Sequence, residues 1–333
     1  MGHNIDILNI KPSYVQNPYL AYGIGMVKVP FIFRNIKADL LLADNLESGM
    51  VALWLKTLFN VPFVFDFIDD YTLIAGYDGG IWRYRYLSIL EKRIPRFADS
   101  VIVVTEEMRD FCHRLGVQDN SLEVIPNGVD VDLFFPTPKQ GGLKSLHGLK
   151  RGQVVLFRGK MNSYYRLDQV LTAIPMVLKA FPETQFLMVG DGKNLGDLKA
   201  LSQSLGIEGS VFFSGMVPLA ELPTYINLAD ICLYPLPNVT ALAVLEYAAC
   251  SKPVIIPKGG TEKIGISHEL VRKNAVLLVD DSPKGFAQGI KRLLGNPELG
   301  KQMGESAMKI AVTQYRWKSL TERYEKVLTQ AYS

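Results

Sequence analysis

Short apolar runs alternate with longer segments of helical spacing along almost the whole chain. Strand-length runs rich in apolar and β-branched residues fall at 4–10, 38–43, 62–67, 100–105 and 122–125. Between them, 48–59, 86–97 and 106–115 carry helical periodicity. Residues 21–36 are apolar but broken by Pro30 and several charges, which predicts helix or loop. The alternation resumes after Gly152. Strands are predicted at 154–157, 185–189, 211–213, 231–234, 254–256 and 275–279. Helices are predicted at 167–180, after Gly192, and at 240–250, 283–294, 297–313 and 316–331. Strands alternating with helices imply parallel βαβ units, and the polar, glycine-containing segment 137–152 reads as a linker between two such series. The pattern predicts an α/β chain of two doubly wound domains.

Chemistry concentrates in one stretch, 231–257, ICLYPLPNVTALAVLEYAACSKPVIIP. An apolar run is broken by Pro235 and Pro237. Thr240 can cap a helix through about Cys250, and Lys252-Pro253 stops it before the next strand. Glu246 is the one charge in that helix, and Leu242 and Cys250, four residues to either side, offer it no charged partner. A carboxylate one or two turns into a helix, behind a loop at a strand's C-terminal end, can accept two hydrogen bonds from a diol. Backbone N–H groups near Thr240 and Ala241 can face a phosphate. A ribose diphosphate meets both demands.

Composition narrows the field. A chain of 333 residues can bury two cores, and 48% hydrophobic with 21% charged residues is globular. A net charge of +3 is too mild to argue for nucleic acid, and it suits anionic substrates or an anionic membrane surface. Cys112, Cys232 and Cys250 are scattered, as are the four histidines, so neither a disulfide framework nor a zinc site is expected. No apolar stretch has the roughly 18 residues of a spanning helix, and the N-terminus lacks a signal-peptide pattern, which places the protein in the cytoplasm.

The stretch 231–257 resembles the donor-binding segment of retaining glycosyltransferases of the GT-B fold, family 4 in particular. That family carries two glutamates separated by seven residues, then an apolar EA-A-G-PV run. Glu246, Ala248, Ala249, Pro253 and Val254 match it, whereas Asn238 stands in place of the first glutamate and Ser251 in place of the glycine. PNGVD at 126–130, followed by Phe135-Pro136, resembles the signature where the family's first domain hands over to the second. Trp317 sits where its closing helix has an aromatic. The resemblance implies two Rossmann-like doubly wound domains with parallel sheets facing across a cleft. Residues 1–137 would form the acceptor domain, completed by a C-terminal helix at 315–333, and 138–314 the nucleotide-sugar domain. Met1 to Ile7 matches the family's second strand, so either the chain starts late or the protein works without the first strand, glycine-rich loop and helix.

Site residues follow from the same resemblance. Gly159-Lys160 falls where the family has Gly-Arg, and Arg166 near its later Lys-Gly, so both cations are expected to clamp the donor diphosphate. Glu246 would hold the ribose, Asn238 would approach the sugar, and Thr240 and Ala241 would face the phosphates. Asp66, Asp69 and Asp70 end the run VPFVFDF, and Asp69 falls near a family histidine beside the transferred sugar, where an acid can orient an acceptor hydroxyl. Gly190-Asp191-Gly192 reads as a turn near the base-binding wall. Interleaved aromatic and basic residues from Trp82 to Arg96 suit a membrane interface or a lipid phosphate. The expected protein transfers a sugar from a UDP- or GDP-sugar to a glycan or lipid-linked acceptor, with no metal and no cofactor, at most peripheral to the inner face of the cell membrane. The competing expectation is a non-catalytic partner that keeps the fold; Asn238 favours it. A dinucleotide oxidoreductase fails for want of a GxGxxG fingerprint.

Overall fold

The computed structural model describes residues 27–36, 38–69, 71–72, 76, 80–139, 152–236, 242–258 and 267–332. The strand expected at 4–10, most of the linker at 137–152, and Asp70, Asn238, Thr240 and Ala241 lie outside the described residues. The chain divides into two compact units. The first takes its residues from Met1–Val103, Arg109–Glu123 and Glu325–Ser333, the second from Val104–Met108 and Val124–Tyr324.

In the first unit a helix over 27–33 (α1) precedes β1 (Leu41–Ala43), α2 (Leu46–Phe59), β2 (Phe63–Phe67), α3 (Ile81–Phe97), β3 (Ser100–Val103), α4 (Glu106–Arg114) and β4 (Leu122–Val124). The strands lie in chain order, with β1, β2 and β3 parallel. Helix α2 begins two residues before the expected Ser48 because Asn45 caps it. The Ser48 N–H donates to Asn45 Oδ1 at 2.8 Å, and the Asn45 N–H donates back to Ser48 Oγ at 3.0 Å. Helix α3 begins five residues before the expected Tyr86, so its first turns carry exposed Ile81, Trp82, Tyr84 and Tyr86. Such residues on a solvated face give no apolar periodicity to read.

The second unit contains β5 (Val154–Arg158), α5 (Leu167–Leu178), β6 (Gln185–Val189), α6 (Leu195–Ser204), β7 (Val211–Gly215), α7 (Leu222–Leu228), β8 (Ile231–Leu233), α8 (Leu242–Ala249), β9 (Val254–Pro257), α9 (Ser267–Arg272), β10 (Val276–Val279), α10 (Pro283–Leu294) and α11 (Pro297–Gln314). Helix α12 (Trp317–Tyr332) closes the described chain. The six strands are parallel in the order β10-β9-β8-β5-β6-β7. Alternate strand residues enter two separate cores. Val154, Leu156, Leu187, Cys232 and Val254 pack with α7, α8 and much of α11, while Val155, Phe157, Phe186, Leu233 and Ile255 pack with α5 and α10. A sheet covered on both faces yields continuous apolar runs, which is why its strands were legible. Helices α7 and α9 were not foreseen. Six of the seven α7 residues are buried, so it has no polar face to mark a helical period.

The PNGVD segment belongs to the packing of this unit. The Val129 N–H donates to Tyr315 O at 2.7 Å, and a Cβ at Gly128 would lie 2.6 Å from the Trp317 ring. Glycine at 128 therefore lets the segment press flat against the start of α12.

Candidate functional site

The order of the second sheet reverses between β5 and β8. From β5 the chain winds outward through β6 to β7, and from β8 through β9 to β10. Loops leaving the C-terminal ends of strands on either side of such a switch point turn apart and leave a crevice, the usual ligand position in open α/β sheets. Strand β5 delivers Arg158-Gly159-Lys160 to that edge, and β8 leads to α8 with Glu246.

Glu246 is 7% exposed. Its partner is Arg158, 88 positions earlier: Nε donates to Oε2 at 2.7 Å and a second guanidinium nitrogen, Nη2, contacts the same oxygen. The reading that Glu246 lacks a charged partner holds along its own helix and fails across the sheet. Burial pushes the Glu246 carboxyl above its ordinary value, and the Arg158 charge opposes that shift. Tyr247 adds a second link to the same residue. Its hydroxyl accepts from the Arg158 N–H at 2.8 Å, an amide that β8 cannot pair because its pairing with β5 ends at Phe157. Two successive residues of α8 thus grip one residue of β5, one by its side chain and one by its backbone.

The loops after β5 and β6 interlock by backbone. Gly159 N–H donates to Val189 O at 3.0 Å, Met161 N–H to Asp191 O at 2.9 Å, and Asn194 N–H to Met161 O at 2.9 Å. Gly190 has φ 131°, and a Cβ there would sit 2.0 Å from Gly159 O. This contact fixes the course of Gly159-Lys160, with the Lys160 side chain exposed. Arg166 sits at the N-terminus of α5 in a left-handed conformation, φ 52°. Its guanidinium is ion-paired with Asp281, which follows β10, so this cation is already partly neutralised.

In the first unit Asp69 is half-buried two residues beyond β2. Near it, Tyr71 donates to Asp44 O at 2.9 Å and stacks on Phe67, ring centroids 6.2 Å apart. Burial, then the negative charges of Asp69 and Asp44, hold the Tyr71 hydroxyl protonated well above its ordinary range. Sequence reasoning missed the pairing of Arg158 with Glu246 and the contact of Tyr71 with Asp44. For Arg158 a signal existed: a charge closing the apolar strand VVLFR beside a glycine. Among the described residues no helix is long and apolar enough to cross a membrane.

Two Rossmann-like α/β units, the second with Arg158 and Glu246 paired at the switch point of its sheet, have the architecture of the GT-B class of transferases. Glycosyl transferases group 1 match residues 145–310, and the glycosyl transferase 4-like domain matches residues 15–128. The D-inositol 3-phosphate glycosyltransferase of Corynebacterium jeikeium is 28% identical, over 97% of this chain and 83% of its own. A GDP-mannose-dependent alpha-(1-6)-phosphatidylinositol monomannoside mannosyltransferase of Mycolicibacterium smegmatis is 26% identical, over 72% of this chain and 64% of its own. Among solved structures, Anabaena Alr3699/HepE in complex with UDP and glucose shares the fold at a TM-score of 0.77 and 20% identity, over 97% of this chain and 85% of that one. The chain belongs to the group 1, family 4-like glycosyltransferases, and it is an enzyme.

Proposed function

We propose that this enzyme moves a sugar, with retention of anomeric configuration, from a nucleoside-diphosphate sugar to a hydroxyl of a glycan or lipid-linked glycan. The observation that carries the reading is the buried Glu246 carboxylate beside Arg158-Gly159-Lys160 at the switch point of the second sheet. A diol-binding carboxylate next to a glycine and a cation suits ribose and diphosphate. In this reading Glu246 holds the ribose, and Thr240 and Ala241 face the phosphates. Lys160 and Arg166 stabilise the departing diphosphate by charge, without a metal. Asn238 approaches the sugar with an amide where the family has a carboxylate. Asp69, with Asp70 beside it in sequence, meets the acceptor hydroxyl on the first unit. The departing β-phosphate takes the acceptor proton on the same face, so no protein nucleophile is needed. GDP and UDP are the nucleotides suggested by the names of a relative and of a structural neighbour. Exposed Trp82, Tyr84 and Tyr86 among Arg83, Arg85 and Lys92 on α3 suit peripheral contact with an anionic membrane surface.

The test is donor hydrolysis and transfer across a panel of UDP- and GDP-sugars, with product configuration read by NMR. Turnover of one donor with the anomer retained is expected. Inversion would remove the retaining assignment, and no binding or turnover with any nucleotide would remove the donor reading.

A further inference from the structure

Glu246 does not face the crevice with two free oxygens. Both guanidinium contacts, from Nε and Nη2 of Arg158, end on Oε2. Two donors occupy the two acceptor positions of that oxygen, and Oε1 is left for a ligand. The arrangement is fixed from three sides: Arg158 lies at the end of a central strand, its N–H is held by Tyr247, and the Glu246 side chain is only 9% exposed.

We infer that Arg158 is a specificity-determining residue that reduces ribose recognition to a single hydroxyl. The inference rests on the donor reading above. A carboxylate with both oxygens free reads a vicinal diol in two places; here both hydroxyls must converge on the single oxygen Oε1, where good alignment for one leaves the other poorly aligned. Tolerance of a donor lacking that second hydroxyl follows.

The experiment compares the nucleoside diphosphate that the protein binds with its 2′-deoxy and 3′-deoxy analogues, by calorimetry on the full chain. One analogue should bind within about threefold of the ribonucleotide, and the other should lose about tenfold or more. Arg158→Lys keeps a cation on Oε2 and should keep that pattern. Arg158→Met frees Oε2, and both analogues should then be penalised; should this variant fail to fold, the wild-type pattern decides alone. Loss of affinity for both analogues in wild type would overturn the inference. Equal binding of all three nucleotides would also overturn it if Glu246→Gln weakens binding. If Glu246→Gln changes nothing either, the donor reading itself has failed.

Discussion

At the scale of single residues, the site turns on one buried carboxylate. In the proposed donor reading, nucleotide binding through Glu246 needs its charged form, and burial raises its pKa despite Arg158. As pH falls from neutral, the carboxyl therefore takes up its proton earlier than an ordinary glutamate, and nucleotide affinity should fall in that window. The effect on the fold has the opposite sign: a carboxyl with a raised folded-state value adds stability at low pH and loses it as pH rises through that value. Calorimetry across the acid range should show affinity falling in wild type and flat in Glu246→Gln, about 1 kcal/mol weaker at neutral pH because a charge-assisted bond becomes neutral. Wild-type affinity that holds down to the ordinary carboxyl range would refute the role. Glu246→Ala is the poorer variant, since it strands the Arg158 guanidinium. Ser251, where the family has glycine, has φ 57°. A side chain in that region costs about 1–2 kcal/mol, partly offset by the greater freedom of glycine in the unfolded chain. Ser251→Gly should stabilise by about 0.5–1 kcal/mol, read as a higher denaturant midpoint at unchanged slope.

At the scale of elements, the pairing of α8 with β5 sets the site. Tyr247 is fully buried, and its hydroxyl answers an amide that the shorter neighbour β8 leaves free. Tyr247→Phe keeps the ring and leaves the Arg158 N–H unpaired, which should cost about 1–3 kcal/mol. Nucleotide affinity should drop with it, because Arg158 and Glu246 lose their common anchor. A variant as stable as wild type would show that the amide finds another partner.

At the scale of the whole molecule, the local patterns explain much of the architecture. In the proposed reading, Lys160 and Arg166 supply the positive charge that metal-dependent transferases draw from a divalent ion, and turnover should then survive EDTA; activity lost with chelator and restored by magnesium or manganese would end that account. Sequence alone determined most of the strands and the two alternating series, and it marked Glu246 as the one charge of its helix, because each is local. A strand buried on both faces must be continuously apolar, and a helix in a loop-helix unit must declare its cap and stop. It also showed Ser251 and Arg166 as departures, without showing that both stand in left-handed backbone where glycine is at ease. What only the tertiary structure decided is who meets whom. Periodicity describes one element and its faces, never its neighbour. The order β8-β5 in the sheet brings Arg158 to Glu246 across 88 positions, and it turns a carboxylate without a partner in sequence into one with an oxygen already taken.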